Sequence, residues 1–138
     1  MIKVLVGGVF DILHHGHVNF LKEAKKNGDY LVVALESDET TKRLKGPGRP
    51  VHNQKQRREM LESLNFVDEV ISLPEMNSDE DYKKLVEKIK PNIIAITEGD
   101  NMKSKKKRHA DLVKAKLVEI KKISDLSSTK LAKLIGLE

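Results

Sequence analysis

The histidines of this chain are concentrated in one short segment. His14, His15 and His17 are three of its five histidines, and Gly8 and Gly16 flank or separate them. At a helix start, His14 and His17 would share one face because they are three residues apart. Imidazoles donate hydrogen bonds to phosphate oxygens, and the amides of a helix N-terminus favour an anion. These residues predict a site that binds a nucleotide's phosphates and stabilises charge while one phosphoryl bond is exchanged.

Histidines at a helix start also act as caps or packing groups without binding a ligand. Here two glycines, Asp11 and three histidines share one turn between a strand and a helix. Open α/β sheets bind their ligands at such turns, which favours the ligand-binding interpretation. Asp11 either contacts a metal ion that accompanies the phosphates, directly or through water, or braces the turn, and the sequence leaves both roles open.

Hydrophobic periodicity predicts the elements around this turn. Strands are expected where short apolar runs occur, and helices where apolar residues recur at helical spacing behind a capping residue. The predicted strands are residues 2–6, 30–35, 69–72, 92–96 and 117–120. The predicted helices are residues 15–27, 37–44, 54–64, 79–90 and 127–137. Residues 103–109 are predicted as a basic loop that holds at most a short helix.

Strands that alternate with helices predict one α/β domain over residues 1–138, with a doubly wound parallel sheet. Ligands in such sheets lie beyond the carboxyl ends of the strands. The loops at that edge are residues 7–17, the segment from Glu36, residues 97–107 and the segment before Ser127. The candidate residues lie in these same loops, so the fold and site predictions support each other.

Composition narrows the class of protein. The 138 residues suffice for one hydrophobic core, and the lack of cysteine excludes a disulfide framework and a thiolate zinc site. No apolar run approaches the length of a membrane span, and the first residues lack a signal-peptide pattern. We therefore expect a cytoplasmic protein with no membrane partner.

Much of the net charge of +5 comes from residues 103–109, which include four lysines and Arg108. Nucleic-acid binding would explain this run, as would a solvated loop or a loop that gathers a polyphosphate. No aromatic residue lies among the lysines, which argues against a surface that stacks single-stranded bases. The solvated or polyphosphate-binding loop is favoured, and nucleic acid is not expected as a partner.

The segment Gly8-Val9-Phe10-Asp11 followed by His14-His15-Gly16-His17 resembles the HxGH signature of cytidylyltransferase-like nucleotidyltransferases. The similarity continues through residues 28–34, 56–62 and 66–71, and so covers nearly the whole chain. It implies a Rossmann-like fold and nucleotidyl transfer. A phosphate on the acceptor attacks the α-phosphate of a nucleoside triphosphate, and pyrophosphate leaves. Catalysis then rests on positioning and charge stabilisation, without a covalent enzyme intermediate.

The resemblance also implies roles for individual residues. His14 and His17 would contact the triphosphate and stabilise the pentavalent transition state. Lys45, with Lys42 as the alternative, would bring positive charge to the phosphates, and Arg57 matches an arginine of the family. Plain surface exposure is the competing interpretation for Lys45 and Arg57. The implied nucleotide-binding set is Gly8, Val9, Phe10, His14, His15, Gly16, His17, Arg57, Gly99, Asp100, Asn101, Ser128 and Thr129.

Ser128 and Thr129 belong to a block that resembles the family's final phosphate-binding segment. Their hydroxyls and the adjacent amides would hold the β- and γ-phosphates, although the same residues would also make a simple helix cap. Mg²⁺ is expected with the triphosphate, held mostly by phosphate oxygens and water, so no set of protein metal ligands is predicted. Family members are commonly dimers, which makes a homodimer the expectation.

Two branches of the family share most of these blocks: archaeal FAD synthetases, which transfer AMP from ATP to FMN, and glycerol-3-phosphate cytidylyltransferases, which use CTP. The cytidylyltransferases carry an Arg-Thr pair and a Trp where this chain has Lys122 and Met102. Both departures favour adenylyl transfer to FMN. Adenylyltransferases of lipopolysaccharide-core or coenzyme A precursor synthesis remain alternatives. A nucleotide- or RNA-binding module without turnover is the alternative from another class.

Overall fold

Strands and helices alternate along the chain in the structure, a computed structural model that describes residues 1–122 together with Lys133 and Leu134. The elements are β1 (Lys3–Gly8), α1 (His15–Lys25), β2 (Tyr30–Leu35), α2 (Asp38–Lys45), α3 (Gln54–Glu62), β3 (Glu69–Ser72), α4 (Asp79–Ile89), β4 (Ile93–Thr97), α5 (Lys103–Leu112) and β5 (Lys116–Ile120). The prediction of alternating strands and helices is confirmed.

The strands form one parallel sheet in the order β3-β2-β1-β4-β5. The register pairs Val4 of β1 with Leu31 of β2 on one side and with Ile93 of β4 on the other. The chain builds outward from β1 to β3 and then crosses back to add β4 and β5. The loops after β1 and β4 therefore leave the sheet in opposite directions and open a crevice between them. The predicted doubly wound sheet is confirmed.

Hydrophobic cores lie on both faces of the sheet, because successive residues of a strand point to opposite faces. α1 and α3 cover one face and α4 and α5 the other. The first core includes Val4, Val6, Leu21, Ala24, Leu31, Val33, Leu35 and Leu61. The second includes Leu5, Val32, Ala34, Val86, Ile94, Ile96 and Ala110. This packing fixes the carboxyl ends of the central strands, where the candidate residues lie.

The main difference from prediction is α5, which occupies residues predicted as a basic loop. Only His109 and Ala110 of this helix are buried, so it lacks the apolar stripe that usually reveals a helix. Lysine is a good helix former, and Lys107 pairs with Asp111 one turn later at 2.9 Å. The helix propensity of lysine and this ion pair support a helix that hydrophobic periodicity does not reveal.

Other boundaries differ by a few residues. β1 runs to Gly8 rather than ending at residue 6, and α1 ends at Lys25 rather than at residue 27. α3 begins behind its predicted cap, Asn53, but ends at Glu62. The predicted helix over residues 127–137 lies almost entirely outside the described residues. Within the described residues, no helix is long and apolar enough to cross a membrane.

Candidate active site

A cavity of about 310 Å³ opens at the carboxyl ends of β1 and β4. Gly7 and Gly8 come from β1, residues 95–97 come from β4, and the first two turns of α1 contribute a further part of the wall. The cavity therefore lies in the crevice where open α/β sheets bind ligands. Its volume is at the lower end of the range for small-molecule sites, roughly 300–1,000 Å³.

His14 and His17 line this cavity and also cap the helix that carries them. The backbone N–H of Gly16 donates to Nδ1 of His14 at 3.0 Å, and the backbone N–H of His14 donates to Nδ1 of His17 at 3.2 Å. The two rings stack with their centroids 3.9 Å apart. Because Nδ1 is an acceptor in each ring, the neutral imidazole carries its proton on Nε2. Each histidine thus keeps one N–H donor for a ligand.

Both histidines are held in the neutral form. Burial, together with the nearby His14 and Lys45, lowers the pKa of His17 to about 3. Burial, and then the neighbouring His15, also lower the pKa of His14. A neutral imidazole can offer a phosphate oxygen a hydrogen bond but no charge, so positive charge in this cavity would have to come from its lysines.

The turn between β1 and α1 is tightly constrained around Phe10. Phe10 and Ile12 have left-handed φ angles of 48° and 53°, which cost non-glycine residues about 1 kcal/mol or more each. The Phe10 ring packs edge-on against His17, with ring centroids 5.5 Å apart. A Cβ on Gly8 would lie 2.9 Å from the Phe10 ring, so this arrangement requires glycine there. The turn thereby sets the position of the His17 ring.

Asp11 holds the same turn in place through contacts with the loop that follows α2. Its fully buried carboxylate accepts hydrogen bonds from the backbone N–H groups of Val51 and His52, at 2.7 and 3.0 Å, and from Nε of Arg49 at 2.8 Å. Burial alone would raise the pKa of Asp11, but these hydrogen bonds and the Arg49 charge lower it overall. Asp11 is therefore ionised and ties the loop after α2 to the histidine turn. Of the two roles that the sequence leaves open for Asp11, the structure favours bracing the turn.

Arg57 is buried, at 1% exposed, behind the cavity wall. Its guanidinium donates to the carbonyls of Val9 and His52 at 2.8 and 3.0 Å, and to Oδ1 of Asp38 at 2.8 Å. The surface interpretation of Arg57 is thus wrong. Arg57 connects the histidine turn to the starts of α2 and α3, and its direct contact with a nucleotide stays a prediction.

The cavity wall is rich in lysine. Lys45 reaches it from the end of α2, Lys106 from α5, and Lys121 and Lys122 from the segment after β5. Lys42 is not among the lining residues, which favours Lys45 of the two candidates, and contact of either lysine with phosphate stays a prediction. Neither Lys106 nor Lys121 was singled out from the sequence. The sequence feature that could have identified these two lysines is their position in segments that follow β4 and β5, at the ligand-binding edge of the sheet.

The structure brings most of the predicted site together. The predicted site residues that line the cavity are Gly8, Val9, Phe10, His14, Gly16, His17, Lys45 and Asp100. His15, Gly99 and Asn101 neighbour lining residues in sequence but are not on the wall of the described cavity. Ser128 and Thr129 lie outside the described residues. The phosphate-binding role of Ser128 and Thr129 therefore stays a prediction.

Sequence comparison identifies the family of this site. The cytidylyltransferase-like family model matches residues 5–133. The chain belongs to the cytidylyltransferase-like family. It is a nucleotidyltransferase, and the paired histidines, the start of α1 and four lysines line one cavity.

Two curated relatives of this nucleotidyltransferase are FAD synthases. The FAD synthase of Aciduliprofundum boonei is 40% identical over 135 residues, covering 94% of this chain and 87% of the relative. That of Ferroglobus placidus is 47% identical over 96 residues, or 70% of this chain and 59% of the relative. The bifunctional protein HldE of Pseudomonas entomophila is 40% identical over 112 residues, or 81% of this chain. The chain covers only 22% of HldE.

Solved structures show the same fold. The lipopolysaccharide core biosynthesis protein of Thermoplasma volcanium superimposes with a TM-score of 0.74 at 33% identity, covering 90% of this chain and 99% of that one. Pantoate-beta-alanine ligase of Francisella tularensis superimposes with a TM-score of 0.63 at 18% identity, covering 94% of this chain and 67% of that one. The second likeness establishes the fold alone.

Proposed function

We propose that this nucleotidyltransferase transfers AMP from ATP to FMN, which forms FAD and releases pyrophosphate. The observation that carries the proposal is the 40% identity to the A. boonei FAD synthase, which extends over most of both chains. Lys122 and Met102, which replace the arginine and tryptophan typical of cytidylyl transfer, support the choice of ATP. The guanidinium and the indole offer contacts that neither replacement reproduces.

In the proposed reaction, a phosphate oxygen of FMN attacks the α-phosphorus of ATP, and the bond to the β-phosphate oxygen breaks. The Nε2–H groups of His14 and His17 donate to the phosphate oxygens, where negative charge increases in the transition state. The ammonium group of Lys45 neutralises charge on the same phosphates. Because both histidines are already neutral and fixed by capping bonds, they need no reorganisation during the reaction.

The residues of the cavity fit Mg²⁺ that enters with the triphosphate. No group of three histidine, cysteine or acidic side chains within the described residues would hold a metal ion by itself. Asp100 is the carboxylate on the described cavity wall, and both of its oxygens already accept hydrogen bonds. Such a site suits a metal held mainly by phosphate oxygens and water. The bound metal would neutralise charge on the phosphates.

A second candidate is adenylyl transfer to a sugar phosphate. It is favoured by the HldE relatives and by the lipopolysaccharide core biosynthesis protein, which matches this chain along 99% of its own length. Both candidates use ATP and the same chemistry at the α-phosphate. They differ in whether a flavin or a sugar carries the attacking phosphate.

The test is a pyrophosphate-release assay with purified protein, in which ATP or CTP is paired with FMN, a sugar 1-phosphate or glycerol 3-phosphate. We expect release with ATP and FMN, and a product that co-elutes with FAD. Release with ATP and only the sugar phosphate would establish the second candidate. Release with CTP and only glycerol 3-phosphate would reverse the assignment of both base and acceptor.

The proposal extends to assembly and location. We propose a homodimer, as is common in the family, working in the cytoplasm, where ATP and FMN are available. Light scattering coupled to size exclusion is expected to give twice the chain mass of 15.6 kDa. A mass of one chain at micromolar concentration would contradict the dimer.

A further inference from the structure

Glu36 is a buried acidic residue that the proposed mechanism does not use. It directly follows β2 and is 8% exposed. Its Oε2 accepts a hydrogen bond from the hydroxyl of Tyr82 in α4 at 2.7 Å. Within the described residues, its Oε1 is enclosed and has no hydrogen-bond partner. A buried polar atom without a partner is destabilising, so Oε1 is a position where a ligand group would be bound favourably.

Glu36 lies next to the cavity, behind its wall at the end of β1. Its backbone N–H donates to the carbonyl of Gly8 at 3.1 Å, and Gly8 lines the cavity. Lys106 lines the cavity as well, and its charge acts on the Glu36 carboxyl. The Lys106 side chain is 33% exposed and has a flexible four-carbon stem, so it can move aside for a ligand group. A ligand in the cavity can therefore reach Oε1 past Lys106.

The chemistry of the free oxygen favours a hydroxyl group as its partner. Burial raises the pKa of Glu36, while the Tyr82 hydrogen bond and the charge of Lys106 act in the opposite direction. An ionised Oε1 needs a hydrogen-bond donor, and a protonated one needs an acceptor. A hydroxyl satisfies either state, because it has one donor and two acceptor lone pairs. A phosphate oxygen satisfies only the protonated state and is repelled by the ionised one.

The strand order indicates which substrate carries this hydroxyl. The described cavity extends from β1 towards β4 and the segment after β5, and this larger space suits the nucleoside triphosphate. Glu36 lies on the other side of β1, at the end of the neighbouring strand about 4.8 Å away. The attacking oxygen and the leaving pyrophosphate must lie roughly in line at the α-phosphorus, so the two substrates approach from different sides. The side of β2 is therefore open to the phosphate acceptor.

We propose that Glu36 is a specificity-determining residue that selects an acceptor with hydroxyl groups close to its phosphate, through a hydrogen bond between Oε1 and one such hydroxyl. Tyr82 positions the carboxyl group by holding Oε2. The ribityl chain of FMN and the ring of a sugar phosphate both carry such hydroxyls, so the ligand class is a polyhydroxylated phosphate monoester. The inference rests on the proposed transfer to a phosphate acceptor and names the feature of the acceptor that is recognised.

The experiment measures KM for pairs of acceptors by pyrophosphate release, for the wild type and three variants. Each pair joins an acceptor to a counterpart that lacks the hydroxyls: FMN with a flavin on a phosphorylated pentyl chain, a sugar 1-phosphate with its deoxy derivatives, and glycerol 3-phosphate with propyl phosphate. Glu36→Leu removes the carboxyl group at similar volume, and Glu36→Gln retains hydrogen bonding. Glu39→Leu is the matched control, because Glu39 is exposed. Calorimetry measures the Kd of the nucleotide for each protein.

We expect the wild type to favour the hydroxylated member of the pair that it uses. Glu36→Leu is expected to raise KM for that member about tenfold and to leave KM for its counterpart within about twofold, with an unchanged Kd for the nucleotide. Glu36→Gln keeps most of the discrimination, and Glu39→Leu keeps all of it. The pair that the wild type uses tests the proposed function, whereas the comparison within that pair tests Glu36.

An equal rise in KM for both members of the pair in Glu36→Leu would overturn the proposal, because a merely structural role predicts that result. A Glu36→Leu variant that matches Glu39→Leu would overturn it as well. If Glu36→Leu does not fold, Tyr82→Phe decides, because it releases Oε2 and leaves the carboxyl group unfixed. Reduced discrimination by Tyr82→Phe then supports the proposal, and wild-type discrimination contradicts it. A wild type that transfers to none of the three acceptors would refute both the proposed function and this role of Glu36.

Discussion

Each histidine of the pair caps the helix with one ring nitrogen and keeps the other available for a ligand. Nδ1 of His14 and Nδ1 of His17 accept the capping bonds at the start of α1. The Nε2–H groups are not used in these bonds. The same hydrogen bonds that start the helix therefore select the tautomer that the proposed phosphate contacts require. Substitutions that can replace only Nδ1 or only Nε2 therefore separate helix capping from the proposed ligand contact.

We predict that His17→Asn folds normally but loses activity, whereas His17→Gln keeps more activity at lower stability. The asparagine oxygen can replace Nδ1 as the capping acceptor, and the glutamine amide can reach towards the position of Nε2. Loss of one donor to the transition state lowers kcat by roughly 10²–10³-fold. Steady-state kinetics and urea denaturation of both variants, beside His17→Ala, provide the test. Near-normal turnover by His17→Asn or His17→Ala would contradict the catalytic role.

The lowered pKa of His17 predicts how stability depends on pH. Its pKa is about 3 in the folded protein and 6.5 when the ring is unperturbed. The unfolded chain therefore binds this proton first as the pH falls. His17 therefore leaves the free energy of unfolding almost unchanged above pH 6.5 and lowers it below that pH. At pH 5 its contribution lowers the free energy of unfolding by about 2 kcal/mol. Urea unfolding at pH 7 and pH 5 is expected to show a smaller decrease for His17→Asn. Equal decreases for the two proteins would show that His17 titrates normally.

At the scale of elements, the turn after β1 is held by contacts from distant parts of the chain. Asp11 accepts bonds from residues 49, 51 and 52, and Arg57 donates to Val9. These contacts connect the histidine turn to the loop between α2 and α3. The loop begins beside Lys45, so the histidine turn and this cavity lysine are positioned together.

We predict that Arg57→Met destabilises the protein by about 3 kcal/mol, because the carbonyls of Val9 and His52 and the Asp38 carboxylate lose their donor. The neighbouring Arg58 is the matched control, since its side chain is 39% exposed and pairs with Glu62 on the surface. Arg58→Met is expected to cost less than about 1 kcal/mol. Urea denaturation measures both values. Comparable losses for the two variants would show that Arg57 does not hold the turn.

The sequence was sufficient to predict the elements that have a periodic apolar signal. β2 and β3 have the predicted bounds because their apolar runs are short and bordered by polar residues. α5 was missed because its support comes from lysine propensity and ion pairs rather than from an apolar stripe. Hydrophobic periodicity reports burial, and a helix that buries only two residues gives almost no signal.

The candidate site was predictable where the residues are adjacent in sequence. The turn from Gly8 to His17 could be recognised as a unit, and the family resemblance added Lys45 and Asp100. The Asp11 contacts with residues 49–52 and the approach of Lys106 to Asp100 depend on tertiary packing. Asp11 illustrates the limit: its sequence position allows both a ligand contact and a brace, and only its burial distinguishes them.

At the scale of the whole molecule, the positive charge is balanced locally along α5. Three of its basic side chains pair with carboxylates outside the cavity: Lys103 with Glu119 at 3.0 Å, Lys107 with Asp111 at 2.9 Å, and Arg108 with Asp79 at 3.8 Å. Lys106 pairs with Asp100 inside it. A surface that binds nucleic acid must instead offer its cations to phosphates along the strand.

We therefore predict that the protein does not bind RNA at physiological salt, despite its net charge of +5. A gel shift with single-stranded RNA at low-micromolar protein and about 150 mM salt is expected to show no complex. The double variant Lys105→Glu and Lys107→Glu should keep wild-type pyrophosphate release, because both residues are exposed and neither lines the cavity. A salt-sensitive complex that this variant abolishes would instead identify α5 as an RNA-binding surface. If the wild type also released no pyrophosphate, a nucleotide- or RNA-binding module without turnover would explain the chain better than an enzyme.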